Sequence, residues 1–363
     1  MSRKRVVAIV GLAAVAVSLA LAVPPARRLW RAGTMLSELA RPSLAVENIS
    51  LATRAGPVRA RIYHRPDQAH GPGVVVVHGV HREGIDEHRM VPFARELAQA
   101  GLVVLTPEIA DLADYRITAA GVSIIEDAAL YLGGRQDLVD SARVGLLGFS
   151  FAGGLALVAA EDPRLGGRLA FVTSVGGHHD LARVLHFLVR NQIETPGGVV
   201  HKQAHDYGLI VLLYGSIDRF APEADRPALR EALRAWLRED RDGARAAAGR
   251  LSTEEGQALW ARVENGRLQE LAGAFESALD ARRAELAQLS PRGRLRAIGA
   301  PVYLLAGSGD TVIPPSEAEW AAAELGPADH ALLVSPLLEH VEVNHAAGLT
   351  DELAMVRFIA RML

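Results

Sequence analysis

The 363-residue chain contains no cysteine, which excludes disulfides, a catalytic thiol and cysteine-ligated metal sites together. Lysine is nearly missing too: Lys4 and Lys202 are its two occurrences among 39 basic residues. The rest are arginine, a bias of composition that points to no partner. Charge of one sign is not in excess either, the net being −3, and no basic stripe is interleaved with aromatics, so nothing favours nucleic acid. There is no H-E-x-x-H, no G-x-x-x-x-G-K-[ST] and no glycine-rich dinucleotide fingerprint opening an early helix, so no metal and no cofactor is called for. His178-His179-Asp180 and His201…His205-Asp206 have spacings open to metal ligands, but they read as loop and cap residues around an insertion.

What the chain does have begins with an address. Ser2-Arg3-Lys4-Arg5 is followed by an uncharged stretch, Val6 to Val23. A membrane span needs ~20 apolar residues and can manage with ~17, whereas a signal-peptide core is usually ~7–15. Residues 1–23 are therefore expected to be a membrane anchor, with cleavage after Ala22 in Ala20-Leu21-Ala22 as the alternative. The basic leader orients the N-terminus inward. The rest of the chain would then face outside the cytoplasm, or be secreted or periplasmic if cleaved. A linker over 24–44, with Pro24, Pro25 and Pro42, follows.

Beyond the linker, 45–54 and 57–64 alternate polar with apolar around Ala55-Gly56-Pro57, which predicts an antiparallel edge hairpin. Strand and helix then alternate: a valine strand at 73–77, a helix near 86–100, a strand at 102–108, a helix near 118–132, strands at 143–149 and 169–176, and a helix at 152–161 between them. That order predicts an α/β fold with a doubly wound, mostly parallel sheet and ligands at the carboxyl ends of its strands. From about 181 to 296 the alternation stops, and Pro227–Asp240 and Glu255–Leu289 carry Arg, Glu and Ala at helical spacing. We expect a helical cap insertion over 181–296, dividing a core of 45–180 and 297–363. Such a cap would wall a pocket, with Leu181–Val189 and Tyr207–Tyr214 as lining.

Four strand ends carry chemistry. Gly148-Phe149-Ser150-Phe151-Ala152, with Gly153 and Gly154 behind, matches the G-x-S-x-G elbow with alanine at the last position. A serine becomes a nucleophile only beside a base and beside donors for the developing oxyanion. The main-chain N–H groups of Phe151 and of Val80, after the His78-Gly79 turn that ends the valine strand, are the candidate donors, with His78 and Gly79 as a supporting loop. Gly307-Ser308-Gly309-Asp310 ends another apolar strand, and His340 follows the last one. Asp310 can accept one imidazole N–H of His340 while the other nitrogen faces Ser150. His345 is a rival base, and Asp218 a rival acid.

These motifs, in the order Ser, Asp, His, resemble the α/β-hydrolase superfamily over roughly 45–180 and 300–363. The resemblance implies a serine hydrolase taking a small-molecule acyl substrate, with Ser150, Asp310 and His340 catalytic and a carboxylic ester as the first expectation. Thioesterase, amidase and peptidase are alternatives within the class. A membrane-tethered, non-catalytic binding or scaffold protein is the alternative outside it.

Overall fold

The computed structural model describes residues 43–361 apart from Asp206, Val341 and 344–347. The Val6–Val23 stretch, most of the linker, and His345 thus lie outside the described residues. Among the described residues, no helix is long and apolar enough to cross a membrane.

The chain opens with β1 (Ala45–Leu51) and β2 (Val58–His64), an antiparallel pair at one sheet edge. It continues through β3 (Gly71–Val77), β4 (Val103–Pro107), β5 (Val139–Phe149) and β6 (Leu169–Val175). A ribbon of β7 (Gln192–Thr195) and β8 (Gly198–His201) stands apart, then β9 (Val302–Gly307) and β10 (His330–Ser335) complete the sheet, and β11 (Leu338–Glu339) and β12 (Glu342–Val343) form a second ribbon. The eight-stranded order is β1-β2-β4-β3-β5-β6-β9-β10. From β4 onward every neighbour is parallel, while β2 meets β4 antiparallel.

Val74 to Val77 explain why β3 lies at the centre. Successive side chains of a strand point to opposite faces, so a strand of valines needs cover on both. Val75 and Val77 pack with Leu105, Ile125, Ala128 and Leu155, whereas Val74 and Val76 pack with Met90, Ala94, Ala98 and Phe358. Helix Met90–Gln99 presents Met90, Ala94 and Ala98 at four-residue intervals, which places them along one stripe. Helix Phe151–Ala159 is buried at every residue because every residue is apolar or glycine. The chain leaves β3 for β4 on one side and later returns to β5 on the other. The strand order therefore reverses between β3 and β5, and the loops after these two strands meet at a topological switch point.

Between β6 and β9 the chain is mostly helical. Arg226–Leu237 is a single helix. The expected run over Glu255–Leu289 is instead broken into Glu254–Glu264, a 3-10 turn at Leu268–Leu271, Ala272–Ala281 and Arg283–Gln288. Gly266, with φ of +64°, adopts the left-handed conformation that ends the first piece. The β7–β8 ribbon was not expected. This inserted segment shares its apolar core with the sheet, Leu229, Leu233, Phe275 and Leu286 being continuous with Leu105 and Leu155. It also reaches the loops beyond the strands' carboxyl ends. Tyr115 Oη donates to Leu237 O at 3.1 Å. Asp114 accepts from Arg234 Nε at 2.8 Å and Tyr214 Oη at 2.9 Å.

Candidate active site

β5 runs directly into helix Phe151–Ala159 with one residue, Ser150, at the corner. Its φ of 55° and ψ of −137° lie where an L-residue is strained, and such strain persists only where the surroundings over-determine it. Ser150 N–H donates to Val175 O at 2.8 Å, and Gly153 N–H to Ser150 O at 2.8 Å, so the corner is tied to β6 and to its own helix. The turn is tight enough that a Cβ on Gly148 would lie 2.3 Å from Ala152 O. Glycine is required there, whereas Ala152 carries its methyl group into the core. The departure from the full glycine pattern thus falls on the position with room for it.

Ser150 Oγ lies 2.8 Å from His340 Nε2, and His340 Nδ1 lies 2.8 Å from Asp310 Oδ2. The other carboxylate oxygen of Asp310 accepts Val312 N–H at 2.8 Å and Ile313 N–H at 2.9 Å. Asp310 is buried, so these three groups decide where its carboxylate points. An acid anchored on Oδ1 by its own turn leaves Oδ2 for the imidazole. With Nδ1–H turned to that oxygen, Nε2 is the nitrogen that faces the serine hydroxyl. His340 itself has φ of 54° and follows β11.

Gly176, just past β6, has φ of +60°, and a Cβ there would sit 3.6 Å from Asp310 Oδ2 and 3.7 Å from His340 Nδ1. The sequence reading did not single it out. Its signal is a glycine at the carboxyl end of the strand beside the one leading to Ser150.

The loop after β3 presses on the same corner. A Cβ on Gly79 would lie 3.1 Å from Ser150 Cβ. His78 is buried, its Nε2 accepts Ile109 N–H at 3.0 Å, and its Nδ1 is 2.8 Å from Gly79 O. An acceptor at Nε2 requires the proton on Nδ1, which then donates to Gly79 O. Burial holds the His78 ring below its ordinary pKa, in keeping with that neutral tautomer. The ring braces the peptides leading to Val80. Phe151 is the first residue of its helix, where an N–H has no acceptor within the helix. Val80 thus follows Gly79 in the loop that presses on Ser150, and Phe151 begins the helix that follows it.

Of the histidines with spacings open to metal ligands, His178, His179 and His205 have structural partners. His178 Nε2 donates to Leu289 O at 2.8 Å, and burial depresses its pKa. His179 Nε2 pairs with Glu324 at 2.7 Å. Asp180 caps helix Leu181–Arg190 and pairs with Arg292. His205 Nδ1 accepts Tyr207 N–H at 3.3 Å; Asp206 lies outside the described residues. Asp218 sits on the helical turn Ile217–Phe220 and not at the end of a strand, with 70% of its side chain exposed and Arg230 at 3.5 Å. The apolar run before it, Tyr207–Gly215, is a helix and not a strand.

No protein-family model matches this sequence, and no curated protein does. Solved structures do match the architecture. A mutant of the rice cell wall degrading esterase LipA from Xanthomonas oryzae aligns with a TM-score of 0.53 and 13% identity over 88% of this chain and 89% of that one. The acylaminoacyl peptidase of Pyrococcus horikoshii aligns with a TM-score of 0.51 and 13% identity over 91% of this chain and 42% of that one. At such identities the likeness is one of fold.

Proposed function

We propose that this chain, whose fold is that of the α/β-hydrolases, is a serine hydrolase that cleaves a carboxylic ester through an acyl-enzyme intermediate. The observation that carries the proposal is the line from Ser150 Oγ through His340 to Asp310, with each step 2.8 Å long. In this reading His340 Nε2 takes the Ser150 proton as Oγ bonds to the carbonyl carbon. The Val80 and Phe151 N–H groups hold the resulting oxyanion, and Asp310 stabilises the imidazolium. The tetrahedral adduct collapses as His340 returns the proton to the departing alkoxide oxygen. Water, deprotonated by the same imidazole, then releases the carboxylic acid and restores Ser150. An ester is the substrate class this set of groups handles with the least further assistance, because an alkoxide leaves more readily than an amide nitrogen.

The inserted segment, tied to the loops after β4 and β9, supplies the walls of the substrate site in this proposal. The basic leader and apolar stretch at the N-terminus support placement on a membrane with the hydrolase domain outside the cytoplasm, or export if that stretch is removed. Labelling with a fluorophosphonate tests the chemistry. Wild type should label and should hydrolyse small acyl esters, while Ser150→Ala and His340→Ala should do neither. A folded wild-type protein that neither labels nor turns over esters overturns the proposal in favour of a non-catalytic binding protein.

A further inference from the structure

Asp310 does not stand on its own turn alone. Lys202, from the inserted segment, places Nζ 3.0 Å from Gly309 O and 3.2 Å from Asp310 O. We infer that Lys202 is a positioning residue for Asp310, fixing the acid's main chain so that its carboxylate meets His340; the inference rests on the hydrolase reading of the site.

Local geometry prepares the lysine for this. Helix Leu181–Arg190 ends at Asn191, which is left-handed with φ of 56°. Asn191 grips both sides of the returning chain: its carbonyl accepts Lys202 N–H at 3.0 Å, and its Oδ1 accepts Ala204 N–H at 2.8 Å. Three residues after the lysine, His205 N–H donates to Thr311 O at 3.0 Å. The segment 202–205 is thus held to the insertion by Asn191 and to the acid turn by Thr311, with the ammonium directed at the two carbonyls before Thr311. The ammonium holds the turn by the carbonyls of Gly309 and Asp310, a different set of groups from those that hold the carboxylate. Gripping these carbonyls opposes rotation of the turn, while Val312 and Ile313 N–H hold Oδ1.

The residue type fits the task. An ammonium is a compact point charge whose three donors rotate freely and can serve two carbonyls of unrelated orientation, whereas the donors of a guanidinium are fixed in a plane. In a chain whose other described basic residues are all arginine, lysine stands where the planar group is the poorer choice.

The test compares wild type with Lys202→Met, Lys202→Gln and Lys202→Arg in the full chain. Loss of the ammonium should lower both kcat and the rate of fluorophosphonate labelling by about tenfold, short of the roughly 100-fold cost of gross misplacement. KM should stay within about twofold, and Lys202→Arg should recover part of the rate. The low-field proton resonance of His340 Nδ1–H, identified by its loss in His340→Ala, should shift or broaden in Lys202→Met and Lys202→Gln. If Lys202→Met melts lower yet labels at the wild-type rate with that resonance unmoved, the lysine is only a structural tie and the inference is overturned. Should that variant not fold, Lys202→Gln decides by the same readouts. If wild type itself neither labels nor turns over esters, it is the hydrolase reading that fails.

Discussion

The imidazole of His178 fills the space that a side chain on Gly154 would need: a Cβ there would lie 2.3 Å from both Cε1 and Nδ1 of the ring. Gly154 belongs to the helix that begins beside Ser150, and the ring is also 5.9 Å from that of Phe151. Through Leu289 O, the same histidine ties this helix to the end of the inserted segment.

Gly154→Ala should therefore push the ring away and break its bond to Leu289. Overpacking of this kind costs about 1–3 kcal/mol, against a gain of about 1 kcal/mol in helix propensity for alanine over glycine. A net loss is expected because His178 is fully enclosed and has nowhere to move. Denaturant unfolding of the variant measures it; a variant as stable as wild type would show that the enclosure yields.

His78→Phe keeps the ring's bulk but removes the acceptor of Ile109 N–H and the donor to Gly79 O. Leaving a buried N–H unsatisfied costs about 1–3 kcal/mol, and loosening the peptide before Val80 should lower kcat more than it raises KM. The pH dependence gives a second check. Burial depresses the pKa of folded His78 below its ordinary 6.5, so below that pH the unfolded state binds the proton more readily. Wild type should lose stability as pH falls from 6.5 toward the folded value, and His78→Phe should lose it less steeply. His178, depressed in the same way, keeps part of the slope in the variant.

Glu161 acts in the opposite sense. It sits just past the helix that starts at Phe151, with Arg294 Nε 3.1 Å from one carboxylate oxygen and the other oxygen buried without a partner. Burial is the main cause that raises its pKa from 4.5 to about 7; Arg294 opposes the shift and Glu324 adds to it. Between 4.5 and about 7 the unfolded carboxyl is ionised while the folded one holds its proton. Its contribution is therefore full below that window and lost as pH rises through it. Unfolding of wild type and Glu161→Gln at pH values spanning the window should show the difference moving in favour of the glutamine variant as pH rises. A difference that does not change with pH would sink the assignment.

The sheet is legible in the sequence because each core strand is a short apolar run closed by small or polar residues. The four valines of β3 and the Leu-Leu pair of β9 need no distant information to be read. The corner at Ser150 and the turn at Asp310 are legible for the same reason, since strand, turn and functional side chain lie within about ten residues. What the sequence hides is contact between distant segments. Lys202 meets Gly309 across 107 positions and His178 meets Leu289 across 111, and no local pattern marks either pair. The break at Gly266 was obscured because Arg, Glu and Ala continue at helical spacing on both sides of it. Tyr207–Gly215 could be taken for a strand because a fully apolar run lacks the periodicity that separates strand from buried helix.

The arginine bias leaves a practical handle. With Lys4 and Lys202 the chain's only lysines, isotope-labelled methyl groups added to amines would give one side-chain signal from the whole described body. That signal would come from an ammonium 3.2 Å from the Asp310 carbonyl. A spectroscopist could thus watch the acid turn respond to bound inhibitor or heat without substituting any residue, the methyl groups on Lys202 being the one change made to the described body.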